Sequence, residues 1–144
     1  MLFKNEDASL KLEVVCYEFP ADGGVPGSDD RNWLVLRATY TEDGLVIKDS
    51  NSCLLTYELR EMTAGLKVLN AGIKDHYEST FVEPYFEVAA QAEDDDFLVY
   101  VSFFLPNTMD GDDTAELTCT MTKADMTALI DELDKLCAKF PDRA

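Results

Sequence analysis

The stretch Cys53-Leu-Leu-Thr-Tyr-Glu-Leu-Arg-Glu-Met62, continued to Leu69, is central to the architecture because its apolar residues follow the period of an α-helix. They lie four, three, four and three positions apart, which places them on one stripe of that helix. The residues of the stripe are Leu55, Leu59, Met62, Leu66 and Leu69. Thr56 is the predicted N-cap, and Gly72 is the predicted stop. Such a stripe needs an apolar partner surface, so we predict a helix that covers one face of a sheet.

Strands are predicted on both sides of this helix, because apolar and polar residues alternate there or apolar residues run together. The segments with these patterns are 10–17, 31–40, 45–47, 81–89, 97–105 and 115–121. Asp43-Gly44 predicts a hairpin between the second and third segments. Pro84 cannot donate a hydrogen bond to a neighbouring strand, so its strand lies at an edge, pairs irregularly or begins after the proline.

A second helix is predicted at the end of the chain. Thr122 and Asp125 form a T-x-x-D variant of the capping box at its start, and Pro141 ends it. Its apolar stripe contains Met126, Leu129, Ile130, Leu133, Leu136, Cys137 and Phe140. Because strands and helices do not alternate as in βαβ units, we predict an α+β fold for a single domain over 1–144. It has a single antiparallel sheet of about six strands, with two helices (about 55–70 and 122–140) packed on one face.

The charge of the chain restricts its partners. Twelve Lys and Arg residues against 29 Asp and Glu residues give a formal net charge of −17. A field of this sign repels nucleic-acid phosphates and anionic membranes, and it attracts basic proteins. We therefore expect no direct binding of nucleic acid and no membrane association. The acidity has two explanations that stay open: it serves solubility, or it steers a basic protein partner.

The cell compartment is predicted from two further features. The segment from Met1 to Asp7 lacks the basic region, apolar region and cleavage site of a signal peptide, and no apolar run approaches the roughly 20 residues of a membrane span. The four cysteines have no C-x-x-C spacing and lie in apolar or strand-like contexts, which is typical of buried free thiols in a reducing cytosol. We expect a cytoplasmic protein.

No residue pattern predicts an enzyme, a cofactor site or a metal site. The chain has one histidine, His76, in a polar linker, and it lacks G-x-S-x-G, a glycine-rich phosphate loop and H-E-x-x-H. The acidic stretches 93–96 and 110–113 do not match the calcium-loop pattern, and charged hairpin tips that keep strand edges soluble are the favoured interpretation over calcium binding. We expect no catalysis, cofactor or metal.

The sheet face turned away from the helices is the candidate protein-binding surface. It combines aromatic rings, which serve as desolvated anchors, with carboxylates, which steer a basic partner. The predicted face consists of Glu13, Val15, Tyr17, Trp33, Val35, Arg37, Glu83, Tyr85, Glu87, Glu116, Thr118 and Thr120. For Tyr17 and Trp33 the alternative is that their rings pack beneath the loop 20–30.

Five segments occur in one order along the chain. They are Cys16-Tyr-Glu-Phe-Pro20, Asn32-Trp-Leu34, Ser52-Cys-Leu-Leu-Thr-Tyr-Glu-Leu59, Phe81-Val-Glu-Pro84 and Lys139-Phe-Pro-Asp-Arg143. This ordered set, which spans nearly the whole chain, resembles the WapI family of immunity proteins. The family often has an aspartate-proline or similar turn before the C-L-L-T helix, where this chain has Asp49-Ser-Asn-Ser52.

The resemblance implies a bacterial cytosolic protein that protects its producer from a polymorphic, contact-dependent toxin, often a nuclease. A nuclease needs a cationic cleft for phosphates, and an acidic protein can occlude that cleft stoichiometrically. The predicted contacts are Trp33, Glu83, Tyr85 and Glu87. The predicted steering charges are Asp94, Asp95, Asp96, Asp110, Asp112 and Asp113. The alternative hypothesis is a general acidic interaction or regulatory module whose basic protein partner is unrelated to toxins.

Overall fold

Eight β-strands and two α-helices make up the chain over residues 1–105 and 113–144, the part that the computed structural model describes. In chain order they are β1 (Leu2–Lys4), β2 (Ala8–Tyr17), β3 (Trp33–Glu42), β4 (Leu45–Leu55), α1 (Thr56–Asn70), β5 (His76–Glu78), β6 (Phe86–Glu93), β7 (Asp96–Leu105), β8 (Asp113–Met121) and α2 (Lys123–Lys139). The prediction of an α+β fold with two helices is confirmed.

The strands form two antiparallel sheets of four strands each, so the prediction of a single six-stranded sheet is wrong. The first sheet has the order β1-β2-β3-β4, and the second has the order β5-β6-β7-β8. Each set of four consecutive strands is followed by a helix, and α1 separates the two sets along the chain. Alternation of apolar and polar residues identifies a strand but not its neighbour, and it therefore could not separate the sheets.

One buried apolar cluster joins the inner faces of both sheets to the two helices. Its fully buried side chains include Leu12 and Leu36 from the first sheet, Phe86 and Phe103 from the second, and Leu59 from α1. Helix α1 contacts β4, β5 and β6 and thus covers strands of both sheets, whereas α2 packs against α1, β7 and β8. The predicted arrangement, with both helices on one face of one sheet, is therefore also wrong.

The apolar stripe predicted for α1 is buried, since Leu55, Leu59, Met62, Leu66 and Leu69 are each no more than 2% exposed. The predicted N-cap is wrong, because Leu55 occupies that position and its N–H donates to Glu58 Oε1 at 3.0 Å. The Thr56 hydroxyl instead donates to Asn32 Oδ1 at 3.0 Å. Gly72 follows the helix with a φ of 76°, the left-handed conformation that glycine adopts without strain, and so confirms the predicted stop.

The capping box predicted for α2 is present. Asp125 N–H donates to Thr122 Oγ1 at 3.1 Å, and Thr122 N–H donates to Asp125 Oδ2 at 3.0 Å. The hydrogen bond from the Thr122 N–H holds the pKa of the Asp125 carboxyl below its usual value. Four side chains of the predicted stripe are buried inside the helix bounds: Met126, Leu129, Ile130 and Leu133. Neither helix of the described chain is long and apolar enough to cross a bilayer.

The strand bounds differ from the prediction where polar residues or prolines occur. The predicted strand 45–47 continues to Leu55, because β4 is an edge strand and tolerates the polar residues that obscured its alternation. The predicted strand 81–89 begins only at Phe86, after Pro84, which was one of the alternatives for that proline. Strands β1 and β5 have three residues each, too few to show a period, and they were not predicted.

The four cysteines are free thiols that differ in burial. Cys53 and Cys119 are buried and Cys137 is half-buried. Cys16 is exposed, contrary to the prediction, because a β-bulge between Val14 and Cys16 shifts the register of β2 against β3. Burial raises the pKa of the Cys53 thiol to about 12, so this thiol stays protonated at neutral pH.

Candidate protein-binding surface

The predicted contact residues lie on two different sheets. Trp33 is the first residue of β3 in the first sheet, where it pairs with Leu55. Tyr85 and Glu87 flank the first residue of β6 in the second sheet, and Glu83 is half-buried in the loop before it. Trp33 therefore does not share a sheet face with Tyr85 and Glu87. The odd or even position of a residue in a strand predicts which face of the strand its side chain lies on, but it does not predict to which sheet the strand belongs. The binding role of each residue stays a prediction.

Tyr17 packs against the C-terminal segment of the chain. Its ring lies edge-on to Phe140 at 5.4 Å between centroids, and the guanidinium carbon of Arg143 lies 3.3 Å from the Tyr17 ring centroid. Asn32 holds the same terminal segment, because its Oδ1 accepts the Arg143 N–H at 2.7 Å and its Nδ2 donates to the Arg143 carbonyl at 2.9 Å. Tyr17 is thus satisfied within the fold and is not part of the candidate surface.

On the outer face of the first sheet, Glu13 is paired with cationic side chains. The carboxylate of Glu13 lies 3.8 Å from the Lys11 ammonium and 3.4 Å from a guanidinium nitrogen of Arg37. The hydrogen bond from Arg37 holds the pKa of the Glu13 carboxyl below its usual value. Because this carboxylate already has two cationic neighbours, it offers little net attraction to a basic partner.

The outer face of the second sheet has carboxylates without such neighbours. Glu87 on β6 lies opposite Ser102 on β7, and Ser102 lies opposite Glu116 on β8. Within the described part of the chain, neither glutamate forms an ion pair. Adjacent strands are about 4.8 Å apart, so the Cα atoms of the two glutamates are about 10 Å apart. Both side chains are exposed and available to a cationic partner.

Aromatic rings lie on either side of this row of carboxylates. The rings of Tyr85 and Phe104 stack at 5.4 Å between centroids with an interplanar angle of 16°, and Phe104 N–H donates to the Tyr85 carbonyl at 2.7 Å. On the other side, Tyr100 lies between Ala89 and Thr118. We name this surface the Ser102 face. Its members are Tyr85, Glu87, Tyr100, Ser102, Phe104 and Glu116.

Three of the predicted steering charges, Asp94, Asp95 and Asp96, lie away from the Ser102 face. Asp94 and Asp95 form the turn between β6 and β7, and Asp96 is the first residue of β7. The length of β6 places all three about 25 Å from Tyr85. Asp110 and Asp112 lie outside the described residues. Asp113 begins β8 opposite Leu105, near the Tyr85 end of the sheet, and its side chain also lies outside the described part. Among the described residues, no group of three or more His, Cys, Asp or Glu side chains is placed to hold a metal ion.

A buried carboxylate anchors the loop that ends at Tyr85. Glu58 on α1 is 3% exposed, its Oε1 accepts the Leu55 N–H at 3.0 Å, and its Oε2 accepts the Val82 N–H at 2.8 Å. Burial raises the pKa of the Glu58 carboxyl. Because Val82 precedes Tyr85 by three residues, the hydrogen bond to Glu58 restricts the loop and with it the position of the Tyr85 ring.

Three members of the Ser102 face were missed by sequence reasoning. Tyr100, Ser102 and Phe104 belong to the run 97–105, whose near-continuous apolar character predicts a central strand with both faces at least partly covered. This pattern hides the outward residues. The signal that identifies them is a single serine with an aromatic residue two positions before it and another two positions after it. In a strand this spacing places all three side chains on one face.

A groove of about 420 Å³ extends from the Ser102 face to the edge strand β5. Its lining includes His76 and Glu78 from β5 and Leu98 and Tyr100 from β7. His76 is exposed, and its Nδ1 lies 2.9 Å from Oδ1 of its sequence neighbour Asp75. A solvated histidine paired with the adjacent aspartate needs no catalytic explanation. The groove therefore adds contact area beside the Ser102 face.

Comparisons with known proteins give a family match and several structural likenesses, two of which are described below. A family model described as "Immunity protein WapI-like family" matches residues 1–141. The crystal structure of WHY3 from Arabidopsis thaliana is similar with a TM-score of 0.53 and 14% identity, over 97% of this chain and 86% of that chain. A structure of a guideRNA-binding protein complex bound to a gRNA gives a TM-score of 0.41 and 17% identity, over 88% of this chain and 87% of that chain. The first likeness concerns the fold alone, and the second is too weak to support any conclusion. No curated protein matches the chain.

Proposed function

Because the chain belongs to the WapI-like immunity protein family, we propose that it neutralises a cognate bacterial toxin by binding it in a stoichiometric complex, without catalysis. The toxin domain is basic, and it binds at the Ser102 face. The complex forms in the cytoplasm of the producing cell. The observation that supports this choice of surface is the contrast between the sheets. Glu13 has two cationic neighbours, whereas Glu87 and Glu116 have none among the described residues.

Charge and aromatic contact have separate roles in this proposal. The net charge of −17 attracts a basic domain over a long distance and raises its association rate at low salt. Exposed ion pairs contribute about 1 kcal/mol or less each, so they do not by themselves hold a long-lived complex. The stacked rings of Tyr85 and Phe104 supply the desolvated contact area that slows dissociation.

The proposed mode of inhibition is occlusion of the toxin's active cleft. A nuclease domain binds the phosphates of its substrate with Lys and Arg side chains. The carboxylates of the Ser102 face are attracted to the same cations, so this chain and the nucleic acid compete for one cleft. Inhibition of this kind requires one immunity protein for each toxin molecule and leaves both proteins chemically unchanged.

The function is tested with the toxin domain encoded by the gene beside that of this chain. The domain is expressed in a bacterial host under an inducible promoter, alone and together with this chain. We expect growth arrest in the first case and growth in the second, with recovery of an equimolar complex. Continued arrest despite soluble expression of both proteins would contradict the toxin-neutralising role and would favour an acidic module with an unrelated basic partner.

The surface is tested with charge-matched double variants. Glu87→Lys with Glu116→Lys reverses both carboxylates of the Ser102 face. Glu6→Lys with Asp131→Lys makes the same change in net charge at two exposed carboxylates elsewhere. We expect the first pair to lower the affinity for the toxin domain at least tenfold and to remove protection of growth, whereas the second pair lowers only the association rate. Equal losses of affinity in the two pairs would contradict the choice of surface.

A further inference from the structure

The residues that follow α2 pack where β2 ends and β3 begins. Phe140 is buried, with 6% of the residue exposed, and its ring lies edge-on to the Tyr17 ring. The Tyr17 hydroxyl donates to the Pro141 carbonyl at 2.5 Å. The side chains of residues 141–144, which we name the strap, are exposed or half-buried. Phe140 is therefore an apolar anchor, whereas the strap is held mainly by polar contacts.

Asn32 binds the backbone of the strap through its side-chain amide. Its Oδ1 accepts the Arg143 N–H at 2.7 Å, and its Nδ2 donates to the Arg143 carbonyl at 2.9 Å. The same Oδ1 accepts the hydroxyl of Thr56, which is 2% exposed, at 3.0 Å. Since a carboxamide has one accepting oxygen and one donating nitrogen, the Thr56 hydroxyl fixes which end of the amide meets the Arg143 N–H. The start of α1 thus orients the group that holds the strap.

The strap also contacts the loop between β2 and β3, residues 18–32, near both of its ends. Arg143 Nη1 donates to the Phe19 carbonyl at 3.2 Å. At the other end of the loop, Arg31 Nη1 donates to the backbone oxygen of Ala144 at 3.1 Å. Every side chain of the loop is exposed or half-buried, so polar contacts largely determine its position. The contacts with the strap join the two ends of the loop.

We propose that the strap is a clasp that closes the 18–32 loop on the fold, and that strap and loop open together as one unit. Arg143 couples the two, because its guanidinium stacks on the Tyr17 ring and donates to the loop while its backbone pairs with Asn32. These contacts are lost together when the strap lifts. Exposed hydrogen bonds add little net stability each, so the clasp opens at a free energy well below that of global unfolding. The open clasp uncovers the Tyr17 ring and the Asn32 amide.

Trypsin digestion of the folded chain tests the clasp, because Arg31 is the only Lys or Arg between residues 18 and 32. Arg31 is half-buried and bonded to the strap, so cleavage after it reports the population of the open loop. Arg143→Ala removes the guanidinium contacts, and we expect it to speed this cleavage by about tenfold or more. Arg143→Pro also removes the N–H that Asn32 accepts, and we expect a larger increase. Lys135→Ala, the matched control, makes the same charge change at an exposed site on α2 and leaves the rate unchanged.

The first cuts, identified by mass spectrometry, distinguish the clasp from two other behaviours. Arg37 lies within β3, an inner strand of the first sheet, so cleavage after it requires global unfolding. Equal first-cut rates after Arg31 and Arg37 in the wild type would overturn the clasp, because the loop would then open only when the whole chain unfolds. Unchanged cleavage after Arg31 in both Arg143 variants would also overturn it, because the strap would then fray without the loop. The test needs no toxin, so its result is independent of the proposed function.

Discussion

Replacing Glu58 with glutamine tests how the buried carboxylate holds the loop before β6. The change keeps the size of the side chain, but one of its two accepting oxygens becomes an NH₂ donor. Either the Leu55 N–H or the Val82 N–H, now 3.0 Å and 2.8 Å from the carboxylate oxygens, then loses its acceptor. An unpaired buried donor costs roughly 1–3 kcal/mol, partly offset by removal of a desolvated charge. We expect the free energy of unfolding at neutral pH to fall by about 1–2 kcal/mol.

The raised pKa of Glu58 makes this effect depend on pH. Burial raises the pKa of the folded carboxyl above its ordinary value of 4.5, so the folded protein binds this proton more tightly than the unfolded chain does. The stability that the group contributes is fully present below the ordinary pKa and is lost as the pH rises through the raised pKa. Glutamine does not titrate. The unfolding free energy of the wild type minus that of Glu58→Gln therefore decreases from acidic to neutral pH.

Urea unfolding followed by circular dichroism measures both effects. Glu61→Gln is the matched control, because Glu61 is exposed on the same helix, and we expect it to change the unfolding free energy by less than about 0.5 kcal/mol. Carboxyls with lowered pKa values, such as Asp125, give the same pH dependence of stability to the wild type and to each variant. Their contributions therefore cancel when the unfolding free energies are subtracted. Equal midpoints for Glu58→Gln and Glu61→Gln at neutral pH would contradict the anchoring role of Glu58. A difference from the wild type that grows with pH would contradict the pKa argument.

Two further substitutions test the packing of the helices. Gly65→Ala puts a Cβ atom against the Tyr77 ring, closer than van der Waals contact allows, and forces β5 away from α1. We expect this to cost roughly 1–3 kcal/mol and to lower the melting temperature measured by calorimetry. An unchanged melting temperature would show that this contact is not tight. Thr122→Ala removes the acceptor of the Asp125 N–H at the start of α2. We expect the free energy of unfolding to fall by about 1 kcal/mol, which lowers the midpoint of urea unfolding. An unchanged midpoint would contradict the cap.

Long segments with a clear period could be predicted from the sequence, because burial of one face imposes that period on the residues. Both helices were found in this way, as was the strand 97–105, which differs by one residue from β7. The cap at Thr122 was found because two polar residues in a fixed spacing satisfy the free N–H groups. Three-residue strands contain no full repeat of any pattern, so β1 and β5 could not be found.

The candidate surface could be predicted only in part, because it depends on which strands are neighbours. Tyr85 and Glu87 were placed on an outward face, and they lie at the Ser102 face. Trp33 was placed beside them on the assumption of one sheet, whereas it belongs to the other. The row of Glu87, Ser102 and Glu116 arises from pairing of β6, β7 and β8 in one register, and no local pattern in the sequence specifies that register.

Carboxyl footprinting of the wild-type protein, free and in complex with the toxin domain, tests the proposed surface most directly. Carbodiimide-coupled labelling, read by mass spectrometry, reports the accessibility of each Asp and Glu side chain. We predict that labelling of Glu87 and Glu116 falls in the complex, whereas labelling of Glu6 and Asp131 stays the same. Unchanged labelling of Glu87 and Glu116 in a complex that protects other carboxylates would contradict binding at the Ser102 face.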